Sequence, residues 1–147
     1  MMLIYADTSA IVRGYLDDEP TDTELADVLF AGEHPVVTSE LTRVEFASAL
    51  AAAKRANRLG DIRPVLDQFD HDCGEDGPLA LLPLQPGLLP AARDLLLTSG
   101  PLRTLDAIHI TVAILDATEL ADGDPVVVLT RDERQAAAAK AAGLETL

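Results

Sequence analysis

Short apolar, β-branched runs alternate along the chain with longer stretches whose apolar residues recur at helical spacing, a pattern that predicts an α/β fold. Leu3 to Ala6 is expected to form a strand, and Ser9 to Leu16 a short helix behind it. Thr23 to Phe30 carries Leu25, Ala26, Leu29 and Phe30 on one face and predicts a second helix; Val36 to Thr38, closed by Ser39, predicts a second strand. A longer helix is expected from Glu40 to Asn57, and after Gly60 and Asp61 another from Ile62 to Phe69. Beyond a polar break from Asp70 to Pro78, Leu79 to Leu84 predicts a strand that Pro83 confines to a sheet edge or a strand end. Helices follow at Leu88 to Thr98 and Thr104 to Leu120, then a turn at Asp122 to Pro125 and a strand at Val126 to Leu129. An Ala-rich helix from Glu133 to Ala142 stops at Gly143, and Leu144 to Leu147 has the makings of a final edge strand. No repeat or linker divides the chain, so the expected fold is one three-layer α/β/α domain over residues 1–147 with a mainly parallel central sheet.

In such a sheet, ligands bind beyond the carboxyl ends of the strands. Asp7 directly follows the first strand, Glu45 lies early in the helix after the second, and Asp132 comes just past Val126 to Leu129. Asp106 lies in the first turn of the Thr104 to Leu120 helix. Taken singly, each acid has an ordinary structural reading. Thr42 to Glu45 and Thr130 to Glu133 both match a capping box, Asp7 suits a helix cap, and Asp106 would face the positive end of a helix dipole.

Together they point elsewhere. The Thr104 to Leu120 helix is apolar almost all round, which predicts burial, and a buried Asp106 carboxylate needs a partner. Three further acids near the same rim would repel it and one another. A divalent cation answers both difficulties, and an all-oxygen donor set suits Mg²⁺ or Mn²⁺. Open positions on such an ion activate water and neutralise a phosphoryl group, so the implied chemistry is metal-assisted phosphodiester hydrolysis.

Composition narrows the setting. With 48% hydrophobic residues the 147-residue chain can bury a real core. The 25 acidic against 11 basic residues, net charge −14, exclude a general positive field for nucleic acid or anionic lipid, though not a local basic patch. Aromatics at 3% exclude a base-stacking platform. The single cysteine, Cys73, rules out an intrachain disulfide. With no signal-peptide pattern in Met1 to Asp7 and no apolar run of membrane-spanning length, a cytoplasmic location is expected. Arg43, Lys54, Arg55, Arg58 and Arg63 lie on or beside the Glu45 helix, Arg13 follows Asp7, and Arg131 and Arg134 flank Asp132. Arg13, Arg43, Lys54, Arg55 and Arg131 are thus candidate contacts for the phosphates of such a substrate, against the plainer reading of surface ion pairs. Acids gather elsewhere, in Asp17, Asp18, Glu19, Asp22, Glu24 and Asp27 and again between Asp67 and Asp76.

Four collinear segments then carry a resemblance: Ile4-Tyr5-Ala6-Asp7-Thr8-Ser9-Ala10, Arg43-Val44-Glu45, Leu105-Asp106-Ala107-Ile108-His109 and Leu129-Thr130-Arg131-Asp132. They resemble PIN-domain ribonucleases, and most of all the VapC-type toxins of toxin–antitoxin pairs. The resemblance implies a metal-dependent endoribonuclease in which Asp7, Glu45 and Asp106 are core acids and Asp132 the more variable fourth. It implies that Thr8, Ser9 and Thr130 are hydroxyls orienting those acids or the substrate, and that Mg²⁺ or Mn²⁺ positions the attacking water. It further implies a homodimer and a small cognate antitoxin that blocks the site; the acidic excess suits a basic inhibitory segment. His109, three residues past Asp106 on the same side of its helix, is read as a packing or supporting residue rather than a ligand. Two alternatives remain: a partner-binding scaffold without activity, and a haloacid-dehalogenase-like phosphotransferase. The latter needs a second acid two residues after the first, where this chain has Ser9.

Overall fold

The computed structural model describes residues 1–16 and 22–147, so Asp17, Asp18 and Glu19 of the first acidic run lie outside the described residues. The chain order is β1 (Leu3–Ala6), α1 (Thr8–Tyr15), α2 (Thr23–Phe30), β2 (Val36–Ser39), α3 (Leu41–Arg55), α4 (Arg63–Asp72), β3 (Leu79–Leu82) and α5 (Leu88–Thr98). Then come α6 (Thr104–Val112), a π-helical turn (Ala113–Ala117), α7 (Thr118–Ala121), β4 (Val126–Leu129), α8 (Glu133–Ala141) and β5 (Glu145–Thr146). The strands form one parallel sheet in the order β3-β2-β1-β4-β5. β3 is an edge strand that ends at Leu82, one residue before Pro83, because proline has no N–H for the ladder.

β1 is central, and every one of its residues is buried. Its side chains alternate between two cores, as strand geometry requires. Ile4 and Ala6 pack with Ile11, Leu25, Leu29, Phe46, Leu50 and Phe69 from α1 to α4. Leu3 and Tyr5 pack with Leu88, Ala92, Ile108, Ile110 and Ala139 from α5, α6 and α8. The result is the expected α/β/α layering.

Three local expectations are corrected. The helix begun at Thr104 is not buried all round: Leu105, Leu115 and Leu120 are exposed, because the sheet, α5 and α8 cover only part of its circumference. Thr42 to Glu45 is not a capping box: α3 starts at Leu41 with no side-chain cap, so these residues fall inside the first turns. Nor does Thr130 cap α8; Asp132 does, accepting from the N–H groups of Arg134 and Gln135. Among the described residues no helix is long and apolar enough to cross a membrane.

Candidate active site

The strand order places a switch point between β1 and β4. From β1 the chain runs outward to β2 and β3 on one side, while β4 and β5 extend the sheet on the other. Connections there leave in opposite directions and open a crevice at the carboxyl end of the sheet. Asp7 follows β1, and its N–H donates to the Leu129 carbonyl of β4 (3.0 Å). A cleft of about 690 Å³ opens at this place, and Asp7, Glu45, Asp106 and Asp132 all line it. They arrive from the β1 rim, α3, α6 and the α8 cap, elements far apart in sequence.

Asp7 is 3% exposed and held on both oxygens. Oδ1 accepts from Ser9 Oγ (2.7 Å) and the Ala10 N–H (3.1 Å), and Oδ2 accepts from Thr130 Oγ1 (2.6 Å). The cap predicted for this residue is therefore real, and the carboxylate serves a helix and a cleft together. Burial pushes its pKa up, against the lowering effect of those three hydrogen bonds. Thr130 Oγ1 also accepts from the Asp132 N–H (3.1 Å), so one hydroxyl ties the Asp7 carboxylate to the Asp132 backbone.

Glu45 is set by a different group. Its Oε1 accepts from Thr8 Oγ1 (2.8 Å) and meets His109 Nε2 at 2.5 Å. Burial raises its pKa, but the hydrogen bonds from His109 and Thr8 oppose it, and the carboxyl is held below its usual range. His109 itself is buried, with Nδ1 2.7 Å from the Tyr5 hydroxyl. Thr8 Oγ1 also meets Thr42 Oγ1 at 3.2 Å, and Thr42 meets Thr38 at 2.8 Å, so a row of hydroxyls backs the acid.

Asp106 is the least satisfied of the set. Its Oδ2 is buried without a hydrogen bond, and the nearest cation, Arg103 Nε, is 3.8 Å away. Its pKa is raised by burial first, then by Asp132, with Arg103 opposing and Asp7 adding. Among the described residues no three His, Cys, Asp or Glu side chains are drawn around one point. The donor chemistry nonetheless fits a hard divalent cation: four carboxylates line the cleft, one of their oxygens is desolvated and unbonded, and Asp132 and Asp7 raise the pKa of Asp106.

The arginines sort differently from the sequence expectation. Arg13 and Arg131 do line the cleft, and both reach Asp22 Oδ2, at 3.8 and 2.8 Å. Arg43 turns away to Asp70 on α4 (3.4 Å), and Lys54 and Arg55 are exposed outside the cleft wall. Arg58 and Arg103 line it instead. Arg103 precedes Asp106 by three residues, a spacing that the sequence displays; Arg58 enters only through the turn that ends α3. Tyr5 was concealed as one more apolar strand residue, although a hydroxyl on a fully buried strand always needs a partner. Ser9 stands two residues after Asp7 and only donates to it, so the acid that a haloacid-dehalogenase-like mechanism requires is replaced by a hydroxyl.

Fold and cleft together define a parallel α/β protein with a carboxylate-lined site at its switch point. The chain belongs to the PIN domain family, whose profile matches residues 4–141. The PIN domain is a nuclease fold, and its members are generally metal-dependent ribonucleases. Comparison with curated proteins yields no match to the chain.

Proposed function

We propose that this protein is a metal-dependent endoribonuclease that acts as the toxin of a toxin–antitoxin pair. The observation that carries the reading is the meeting of Asp7, Glu45, Asp106 and Asp132 in one cleft at the sheet's switch point. These four carboxylates would hold Mg²⁺ or Mn²⁺, which when bound supplies Lewis-acid charge and lowers the pKa of water. The chain's own residues do the rest. Ser9 and Thr130 hold Asp7, and Thr8 and His109 hold Glu45, so the acids are preset before substrate arrives. Arg13, Arg58, Arg103 and Arg131 ring the cleft and offset the charge of a phosphodiester that the acids alone would repel.

The same reading takes the chain as a cytoplasmic homodimer inhibited by a cognate antitoxin. The acidic lining and the net charge of −14 support a basic inhibitory segment. Val44, 70% exposed on α3 at the cleft wall, offers that segment an apolar foothold, whereas Leu25 and Leu29 of α2 are buried. The test is cleavage of total cellular RNA by purified protein with Mn²⁺, with Mg²⁺ and with EDTA, beside Asp7→Asn. Discrete fragments that require metal and vanish in the variant support the nuclease; RNA left intact with every metal overturns it in favour of a partner-binding scaffold.

Salt dependence separates the arginines that touch phosphate from those that do not. For a single strand, each lost phosphate contact reduces the slope of log K against log salt by about 0.7. Arg58→Gln and Arg103→Gln are each expected to flatten the slope by that amount, measured by RNA binding to an Asp106→Asn background. Lys54→Gln, outside the cleft, is expected to leave it unchanged.

A further inference from the structure

We propose that Tyr5, acting through His109, is a positioning residue for Glu45: its hydroxyl fixes the imidazole tautomer whose Nε2–H donates to the Glu45 carboxylate. The inference rests on the reading of Glu45 as an acid that holds the divalent cation.

The hydrogen bonds run in one direction only. Tyr5 is 1% exposed and His109 2%, so neither finds water to satisfy a misplaced proton. The hydrogen bond that the Tyr5 hydroxyl makes is to His109 Nδ1, so its buried proton is satisfied by donation there. The acceptor within reach is His109 Nδ1, at 2.7 Å. Nδ1 then carries no proton, and a neutral ring must carry it on Nε2. That nitrogen lies 2.5 Å from Glu45 Oε1, which also accepts from Thr8. The opposite tautomer would set a nitrogen lone pair against a carboxylate oxygen and strand the phenol proton in the core. A doubly protonated ring would likewise orphan the phenol proton. The row therefore reads Tyr5 O–H to Nδ1, then Nε2–H to Oε1.

The consequence is positional. Oε1 is engaged by two donors, which leaves Oε2 for the cleft that Glu45 lines. His109 shares α6 with Asp106, and Tyr5 precedes Asp7 by two residues on β1. One imidazole thus ties the α3 acid, from one face of the sheet, to the two elements that carry Asp106 and Asp7. Such supporting partners of a ligand are worth about 10–100-fold in metal affinity.

The experiment uses ¹⁵N-labelled full-length protein without RNA, with two readouts: the His109 ring ¹⁵N shifts in metal-free protein, and Mn²⁺ affinity by calorimetry. Wild type is expected to show protonated Nε2 and bare Nδ1. Tyr5→Phe removes one oxygen and keeps the ring volume, so the fold is retained, as its cooperative thermal transition would verify. It is expected to lose the single tautomer and about tenfold in Mn²⁺ affinity. His109→Gln supplies an amide N–H in place of Nε2–H and needs no tautomer, so Tyr5→Phe on that background is expected to change Mn²⁺ affinity by less than about twofold. Unchanged shifts and affinity in Tyr5→Phe would overturn the proposal, as would the same loss in the His109→Gln background, which would make Tyr5 a packing residue. A wild type that binds no Mn²⁺ overturns the metal reading instead, and the ring shifts then still decide whether Tyr5 sets the tautomer.

Discussion

Asp106→Asn is expected to abolish metal-dependent RNA cleavage, by at least about 100-fold, while leaving the metal-free protein no less stable than wild type. The activity loss follows from removing one anionic donor: an ion of this kind contributes several kcal/mol of charge stabilisation, and about 1.4 kcal/mol is tenfold. The stability half of the prediction is less usual, since most substitutions at partly buried sites destabilise. Here the environment already disfavours the charge. Burial raises the Asp106 pKa, Asp132 and Asp7 add repulsion, and these outweigh the opposing pull of Arg103. Oδ2 makes no hydrogen bond for the substitution to break. Two small terms oppose: a negative charge in the first turn of α6 is worth about 0.3–1 kcal/mol, and the exposed Arg103 pair about 0–1. Thermal unfolding in EDTA beside a cleavage assay reads both halves. A clear fall in Tm would show that the aspartate is there to hold α6 and not to wait for a cation.

The second large effect is the response of stability to metal and pH. At free Mn²⁺ of 100 times Kd, binding adds about 2.7 kcal/mol, which for a chain of this size is roughly 5–10 °C in Tm. EDTA should reverse it. The pH dependence has a definite sign. Asp7 and Asp106 have raised pKa values when folded, so the folded state keeps their protons to higher pH than the unfolded chain does. Metal-free stability from these two groups is complete below the ordinary carboxyl range near about 3.9 and is lost as pH rises through their raised values. Metal binding needs both acids deprotonated, so the gain in Tm grows across that same window. Glu45 and Asp22 have lowered values and act oppositely, so the informative quantity is wild type minus Asp7→Asn/Asp106→Asn. Thermal shifts from about pH 4, the ordinary carboxyl range, to about pH 7.5 measure it. A shift that stays constant over that range, or survives in the double variant, would place the ion elsewhere.

Residues close in sequence carried most of what could be read in advance. β-branched runs bounded by turn residues announced β1, β2 and β4, because a strand buried on both faces admits little else. Pro83 announced the edge, and Gly143, at φ 87°, the end of α8. The acids were legible because each follows an element at a predictable rim position. Their local explanations misled: Thr42 and Glu45 look like a capping box, but α3 begins at Leu41, which turns both side chains across to α1.

What the sequence by itself determined, then, is the succession of elements, the parallel sheet and the identity of the acids, since these follow from periodicity, turn chemistry and order along the chain. What only the tertiary structure decided is which donors hold each acid: Ser9 and Thr130 for Asp7, Thr8 and His109 for Glu45, almost none for Asp106. It also decided that Arg58 and Arg103 replace Arg43, Lys54 and Arg55 at the cleft, and that Tyr5 reaches His109, 104 residues away. A hydrogen bond depends on ångström-scale approach between side chains of different elements. Packing of two helical layers against a twisted sheet sets that approach, and no spacing along one chain encodes it.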